Sequence, residues 1–230
     1  MKMKAAFVFA LVLTTAWANA QSSGQFRAGI NFANVSVNDN GRVEEANSLT
    51  SFQAGFLGDF AIAGKFLSLQ PGILFTGKGS KIQRGDANNN GYFKQSSNPF
   101  YVEVPLTLVF KAPIGGGNSF FAGAGPYVAV GVSGKNKTEG RNLLGTYSNE
   151  RSITFSDDDP RTLSEEEGTG FGILKRFDYG LNGTAGIEGK TIVLGASYGL
   201  GLAKLQSGSN NNADNDNKHR VFALTVGFKF

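Results

Sequence analysis

The chain contains no cysteine among its 230 residues, which excludes a disulfide framework and any thiolate metal site. It has a single histidine, His219, so imidazole-based metal centres and acid–base sites have little to draw on. No apolar run approaches the ~20 residues that a membrane-spanning helix needs. Charge of one sign is not concentrated anywhere: the formal net charge is +4, and no basic stripe of the kind that tracks a nucleic-acid backbone is present. Phosphate cradles are missing too. After Gly123 and Gly125 the third fingerprint position is Val128, and after Gly199 and Gly201 it is Lys204. Neither a cofactor nor a nucleic-acid partner is expected.

What is present begins with Met1-Lys2-Met3-Lys4, the apolar run Ala5 to Val12, and Ala18-Asn19-Ala20. A short basic region, a short apolar core and a small-x-small site are the parts of a cleaved secretory signal. The spacing predicts a signal peptide over 1–20 and one mature domain over 21–230, with a net charge near +2 once Lys2 and Lys4 are removed. Hydrophobic residues make up 40% and mean hydropathy is −0.15. A transmembrane β-barrel exposes only alternate residues to lipid, so its membrane signal is diluted in just this way. The 32 glycines and 20 phenylalanines fit a crowded interior and an aromatic lipid face.

The end of the chain shows the pattern best. Phe222, Leu224, Val226, Phe228 and Phe230 fall on every second position, opposed to Val221, Ala223, Thr225, Gly227 and Lys229, and strand geometry sends the two sets to opposite faces. Seven earlier segments alternate likewise: Gly24 to Val35, Thr50 to Ala63, Leu67 to Phe75, Val102 to Phe110, Ser119 to Val132, Phe177 to Glu188 and Ile192 to Leu202. Their connections sort by parity. Long polar stretches (Ser36 to Leu49, Gly77 to Pro99, Ser133 to Arg176, Lys204 to His219) follow the odd strands; short turns at Gly64, Pro113 to Asn118 and Gly189 follow the even ones. A soluble sandwich has no reason to do this, whereas a barrel with both termini in the periplasm has short turns there and long loops outside. The fold expected is therefore all-β: an eight-stranded antiparallel transmembrane β-barrel, its first strand closing on its last because hydrocarbon tolerates no open edge. Pro71, Pro105 and Pro126 lie inside these strands, where each removes a ladder donor. β-Bulges are the expected accommodation, with Pro71 and Pro105 sharing one local defect.

Three stretches carry a family resemblance: Phe66-Leu67-Ser68-Leu69-Gln70-Pro71-Gly72-Ile73-Leu74-Phe75 with Gly77-Lys78-Gly79, Tyr101-Val102-Glu103-Val104-Pro105-Leu106, and Ala122-Gly123-Ala124-Gly125-Pro126-Tyr127. Prolines included, they resemble the PorT-type outer-membrane β-barrels, small barrels of the OmpX/OmpA kind. The resemblance implies a Gram-negative outer-membrane location and brings no active site with it. A namesake member takes part in protein secretion, so a role in secretion machinery is one implied function. The closing strand, ending on Phe228 and Phe230, resembles the signal that such barrels present to the barrel-assembly machinery.

Candidate sites are few. Asp86, Asn88 and Asn90 with Gly91 form the first half of a calcium loop, but the twelfth position is Ser97 instead of a bidentate glutamate. A rim hydrolase triad can be drawn from His219 with Asp214, Asp216, Ser207 and Ser209, yet no motif supports it, and His219 is read as a solvated loop residue. No enzymatic activity is expected. Alternation points Arg27, Asp59, Gln70, Glu103, Lys111, Glu188 and Lys229 into the lumen. Side chains nearly fill an eight-stranded barrel and buried charges persist when paired, so an Arg27–Asp59 salt bridge is expected. Two functions compete on these residues: a surface-exposed structural or interaction protein with a filled lumen, meeting an extracellular or envelope partner through its loops, and a narrow porin-like channel with a wet one.

Overall fold

The computed structural model describes residues 22–36, 48–86, 88–143, 145–156, 173–205 and 218–230. The signal segment 1–20, the acidic runs at Asp157 and Glu165, and Ser207, Ser209, Asp214 and Asp216 lie outside them. The described residues form twelve strands: β1 (Ser22–Ser36), β2 (Leu49–Ala63), β3 (Leu67–Gly77), β4 (Ser80–Arg84), β5 (Tyr92–Gly115), β6 (Asn118–Asn142), β7 (Gly145–Ser152), β8 (Thr154–Phe155), β9 (Ile173–Leu174), β10 (Phe177–Glu188), β11 (Ile192–Gly201) and β12 (Lys218–Lys229).

Eight of these close a ring. The order β5-β3-β2-β1-β12-β11-β10-β6 is completed by β5 pairing with β6, every pair antiparallel. The first and last strands are clamped at the turn end by reciprocal bonds, Gly24 N–H to the Phe230 carbonyl at 3.0 Å and Phe230 N–H to Gly24 at 2.9 Å. Alternation sets what faces out. Ile30, Phe52, Phe56, Ile73, Leu108, Leu181, Leu194, Leu224 and Phe228 all stand exposed around the wall, an apolar girdle that only lipid can cover. Phe228 and Phe230 both belong to this outer surface. Short connections join β2 to β3, β5 to β6 and β10 to β11, all at one end. Gly64 sits at φ 56° in the first of them, a left-handed conformation that costs glycine nothing.

Two stretches expected as loops are strands. The segment 77–99 contains β4 and the start of β5, and 133–176 contains the rest of β6 together with β7. β5 and β6 run for 24 and 25 residues, more than twice the ~9–11 that cross a bilayer. With β4 and β7 at their outer edges, they form a four-stranded sheet standing beyond the barrel. The third connection then turns back. Thr154–Phe155 pairs in parallel with Ile173–Leu174, placing Ile153 and Leu174 against Val35 and Leu205 over the mouth.

The prolines interrupt the wall differently from the expectation. β2 and β3 pair at Leu57↔Gly72 and next at Phe60↔Leu69; β3 and β5 at Pro71↔Leu106 and next at Leu74↔Glu103; β5 and β6 at Pro105↔Tyr127 and next at Leu108↔Ala124. Pro71 thus bounds, and Pro105 lies within, one shared break between β3 and β5, as expected, but the register is identical on both sides of each gap. The prolines are accommodated by skipped pairs and not by bulges; the shifts in register fall elsewhere, at Phe100/Tyr101, Ala61/Ala63 and Pro113/Gly115. Glycines let the strands close up around this seam. A Cβ on Gly125 would overlap the Leu106 carbonyl oxygen of the neighbouring strand. Gly125→Val is expected to force β5 and β6 apart and to lower, by several degrees or more, the temperature at which the folded band converts on a heat-dependent gel shift; an unchanged conversion temperature would contradict the close approach.

Candidate functional site: the lumen network and its cap

Inward-facing positions of the wall strands carry the charged side chains, and closure of the ring brings them together in two groups. Near the turn end, Lys111 bonds to Asp59 and reaches Glu188 at 3.1 Å, and Glu188 also holds Lys229 at 3.3 Å. Gln70 donates to the same Asp59 oxygen at 3.2 Å. The expected Arg27–Asp59 bridge does not form. In the β1–β2 register Asp59 lies opposite Ser23, while Arg27 lies opposite Gly55, four residues along the strand; Asp59 is taken by Lys111, and Arg27 donates to Gln25 at 3.0 Å and stands over the Phe121 ring at 5.8 Å.

Toward the loop end the second group centres on Lys78, 3% exposed. Its Nζ lies 2.6 Å from Glu103 and 2.8 Å from Asp178, and 3.9 Å from the centre of the Tyr127 ring. Tyr127 donates its hydroxyl to Asp178 at 3.1 Å, and Asn182 donates to Glu103 at 2.7 Å. Sequence reasoning placed Glu103 in the lumen and missed Lys78, which follows β3 in a Gly-Lys-Gly stretch taken as loop; the signal that could have found it is the continued alternation from Leu74 and Thr76. His219 is another correction. It is buried at 2% exposure, in β12 and not in a solvated loop, with Nε2 3.3 Å from the Tyr101 hydroxyl and its ring edge-on to Tyr101 at 5.3 Å.

Above this group lies the cap. Phe155 packs edge-on against Tyr101 at 5.6 Å and bridges the Tyr101–Tyr127–Ala129 cluster to Val35, Ile153, Leu174 and Leu205. Backbone bonds hold it: Ile153 N–H to Gly134 at 2.9 Å, Lys175 N–H to Leu205 at 2.7 Å and Gly131 N–H to Arg176 at 2.7 Å. Two spaces inside are lined by described residues. One of about 50 Å³ touches Arg27, Gln70, Lys78, Glu103, Thr107 and Asn182, room for a few waters. The other, about 340 Å³, opens at the turn end over Asp59, Lys111, Glu188 and Lys229. They share no lining residue. Buried Val109, Phe121 and Val193 cluster between them, Val109 falling between Thr107 of the upper space and Lys111 of the lower. Among the described residues the lumen holds paired charges and an apolar belt, with apolar side chains packed over its outer end.

The half calcium loop forms the turn between β4 and β5. The Asp86 carboxylate accepts the Asn88 N–H at 3.0 Å, an Asx turn. Among the described residues no group of three His, Cys, Asp or Glu side chains is placed to share a metal ion.

The model of the outer membrane protein β-barrel domain family matches residues 19–207. The chain belongs to that family, which places it in the Gram-negative outer membrane with the short turns on the periplasmic side. No curated protein sequence matches it. Solved structures to which it is similar include Ail, the attachment invasion locus protein of Yersinia pestis, in complex with the heparin analogue sucrose octasulfate, at 16% identity over 91% of this chain and 99% of that one with a TM-score of 0.41. OprG of Pseudomonas aeruginosa follows at 13% identity over 92% and 97% with a TM-score of 0.41, and Neisserial surface protein A at 14% over 90% and 97% with a TM-score of 0.38. Likeness at this distance carries nothing about binding; the ring of eight strands stands on its own pairing.

Lys78 neutralises two carboxylates buried away from bulk solvent, at 7% and 4% side-chain exposure. Lys78→Met is expected to cost about 3–5 kcal/mol, the range for leaving a buried charge unpaired, seen as a lower refolding yield and conversion temperature. Lys78→Met with Glu103→Gln and Asp178→Asn should recover most of it; a triple variant no better than the single one would refute the pairing. On the outer sheet, the Lys137 ammonium at 2.6 Å holds the Glu139 carboxyl below its ordinary pKa, first by hydrogen bond and then by charge, and Lys135 does the same to Glu150. A depressed carboxylate stabilises above its unfolded pKa and loses that contribution as pH falls through the folded value. Amide hydrogen exchange along β7 should therefore accelerate relative to the wall strands on acidification below about pH 4; parallel behaviour of β7 and the wall would count against it.

Proposed function

We propose that this outer-membrane barrel is a closed, surface-exposed interaction protein: the membrane-spanning ring is an anchor, and the sheet of β4, β5, β6 and β7 beyond it is the working part. The observation that carries this reading is an apolar belt across the lumen together with strands built to twice the length a bilayer requires. Strand pairing outside the membrane is not needed to satisfy the wall, so it is retained for what lies outside. The sheet offers partners a platform that ends at β7, all eight of whose residues are exposed; an edge strand can accept a further strand.

No catalytic step is assigned. Among the described residues His219, Asp178, Tyr101 and Tyr127 lie beneath the cap, and export through cleavage after Ala20 and assembly through the C-terminal strand complete the reading. A PorT-type role in secretion would supply one class of partner, an envelope protein that co-purifies with the barrel.

The refolded mature chain is expected to be silent in a planar lipid bilayer once insertion is verified by its heat-dependent gel shift. Steady, reproducible openings would replace this reading with the narrow channel and make Glu103, Lys78 and Asp178 the selectivity residues. In cells, replacing 138–149 by two glycines should leave barrel assembly intact and abolish surface binding or the envelope phenotype of the parent; an unchanged phenotype would remove the outer sheet from the function.

A further inference from the structure

The outer sheet has two faces, and the register settles which is which. Phe100 stacks on Phe75 at 5.0 Å and 5° on the lipid-facing wall and pairs with Ser133. From Ser133 the alternation puts Lys135, Lys137, Glu139 and Arg141 on that same side. The opposite side turns to the cap at its base, since a Cβ on Gly134 would meet Ile153. Pairing carries the outward face across the sheet. Lys94 lies beside Glu139, Ser96 beside Lys137 and Lys81 beside Ser96, with Glu150 on the far side of Lys137. This face therefore presents five cations (Lys81, Lys94, Lys135, Lys137 and Arg141) against two carboxylates, a net of +3.

Its height is as telling as its charge. The cluster of Phe52, Phe75 and Phe100 marks the upper margin of the lipid belt. Tilted strands climb about 2.5 Å per residue, so the Lys135 backbone stands about 5 Å above it, within the headgroup layer, and that of Lys137 about 10 Å above it, from where a long lysine side chain reaches back down to the layer. The face is continuous with the lipid-facing wall, so the molecules beside it are those of the outer leaflet. Glu139 is shared between Lys94 at 3.5 Å and Lys137 at 2.6 Å, and Lys135 reaches Glu150 at 2.5 Å; exposed pairs like these are weak and leave the face short of anions.

We propose that this outward face seats the phosphorylated headgroups of the outer-leaflet glycolipid, with Lys81, Lys135 and Lys137 as the principal phosphate contacts. The seat depends only on the barrel's orientation in the membrane and is independent of any protein partner of the sheet. The test is native mass spectrometry of the refolded mature barrel, released from zwitterionic micelles containing bis-phosphorylated lipid A, the same lipid stripped of phosphate, or phosphatidylglycerol. The parent should retain the bis-phosphorylated lipid, and K81Q/K135Q/K137Q should retain it at least about tenfold less well, since each interfacial cation contributes severalfold. The phosphate-free lipid should bind the parent as poorly as the triple variant binds the bis-phosphorylated one. Equal retention by parent and triple variant, or by the parent regardless of phosphate, would overturn the proposal; equal retention of phosphatidylglycerol would overturn its assignment to the glycolipid. If the triple variant failed its gel shift, Lys137→Gln alone serves under the same criteria, with about a fivefold loss expected.

Discussion

Every other feature of this protein follows from a requirement of the backbone. Hydrocarbon offers no partner for an N–H or a carbonyl, so a sheet that crosses it must pair both of its edges. Here β1 meets β12 and β5 meets β6, and the reciprocal Gly24–Phe230 bonds seal the seam at the periplasmic end. Once the ring is closed, its circumference is fixed. An interior of eight strands is then just wide enough for side chains to fill, and what fills it is whatever the inward positions carry.

The proline seam shows how much irregularity that requirement allows. Pro71 on β3 pairs with Leu106 of β5, and the constant register places Leu106 level with Pro126 of β6, so the defects lie in one band across three strands. Each proline removes a donor and leaves at most a carbonyl without a partner, the less costly of the two orphans. Because the strands neither slip nor bulge there, the inward and outward sets keep their faces above and below the band. A shift of one residue would have turned Glu103 toward lipid.

The lumen charges are held by mutual neutralisation. Lys78 and Lys111 each sit between two carboxylates, and the two on each lysine come from different strands, β5 and β10 for Lys78, β2 and β10 for Lys111. Pairs of this kind add little net stability, since desolvation offsets most of the attraction. Removing one member is costly, however, so the network fixes which strands can be neighbours. Beyond the membrane the same strands continue in water with pairs that are exposed and weak. The molecule is thus rigid where it anchors, and its exchangeable contacts are gathered on the outer sheet.

The sequence by itself determined the eight wall strands, the side each faces and the end at which the turns lie, because lipid outside and a packed lumen inside impose a difference that alternation records. It also placed Glu103, Asp59, Lys111, Glu188 and Lys229 in the lumen. It could not determine partners. Arg27 and Asp59 are matched in charge and sit on adjacent strands, but the register sets Asp59 level with Ser23 and gives it to Lys111 on β5, a choice made only when the ring closes. The outer sheet was illegible for a related reason. From Tyr92 to Asn98 and from Lys135 to Arg141 both faces are polar or wet, so strand pairing persists while the hydrophobic period that would announce it disappears. Tertiary structure alone also decided that His219 is buried and that Ile153 and Phe155 turn inward, since each depends on surfaces contributed by strands far away in the chain.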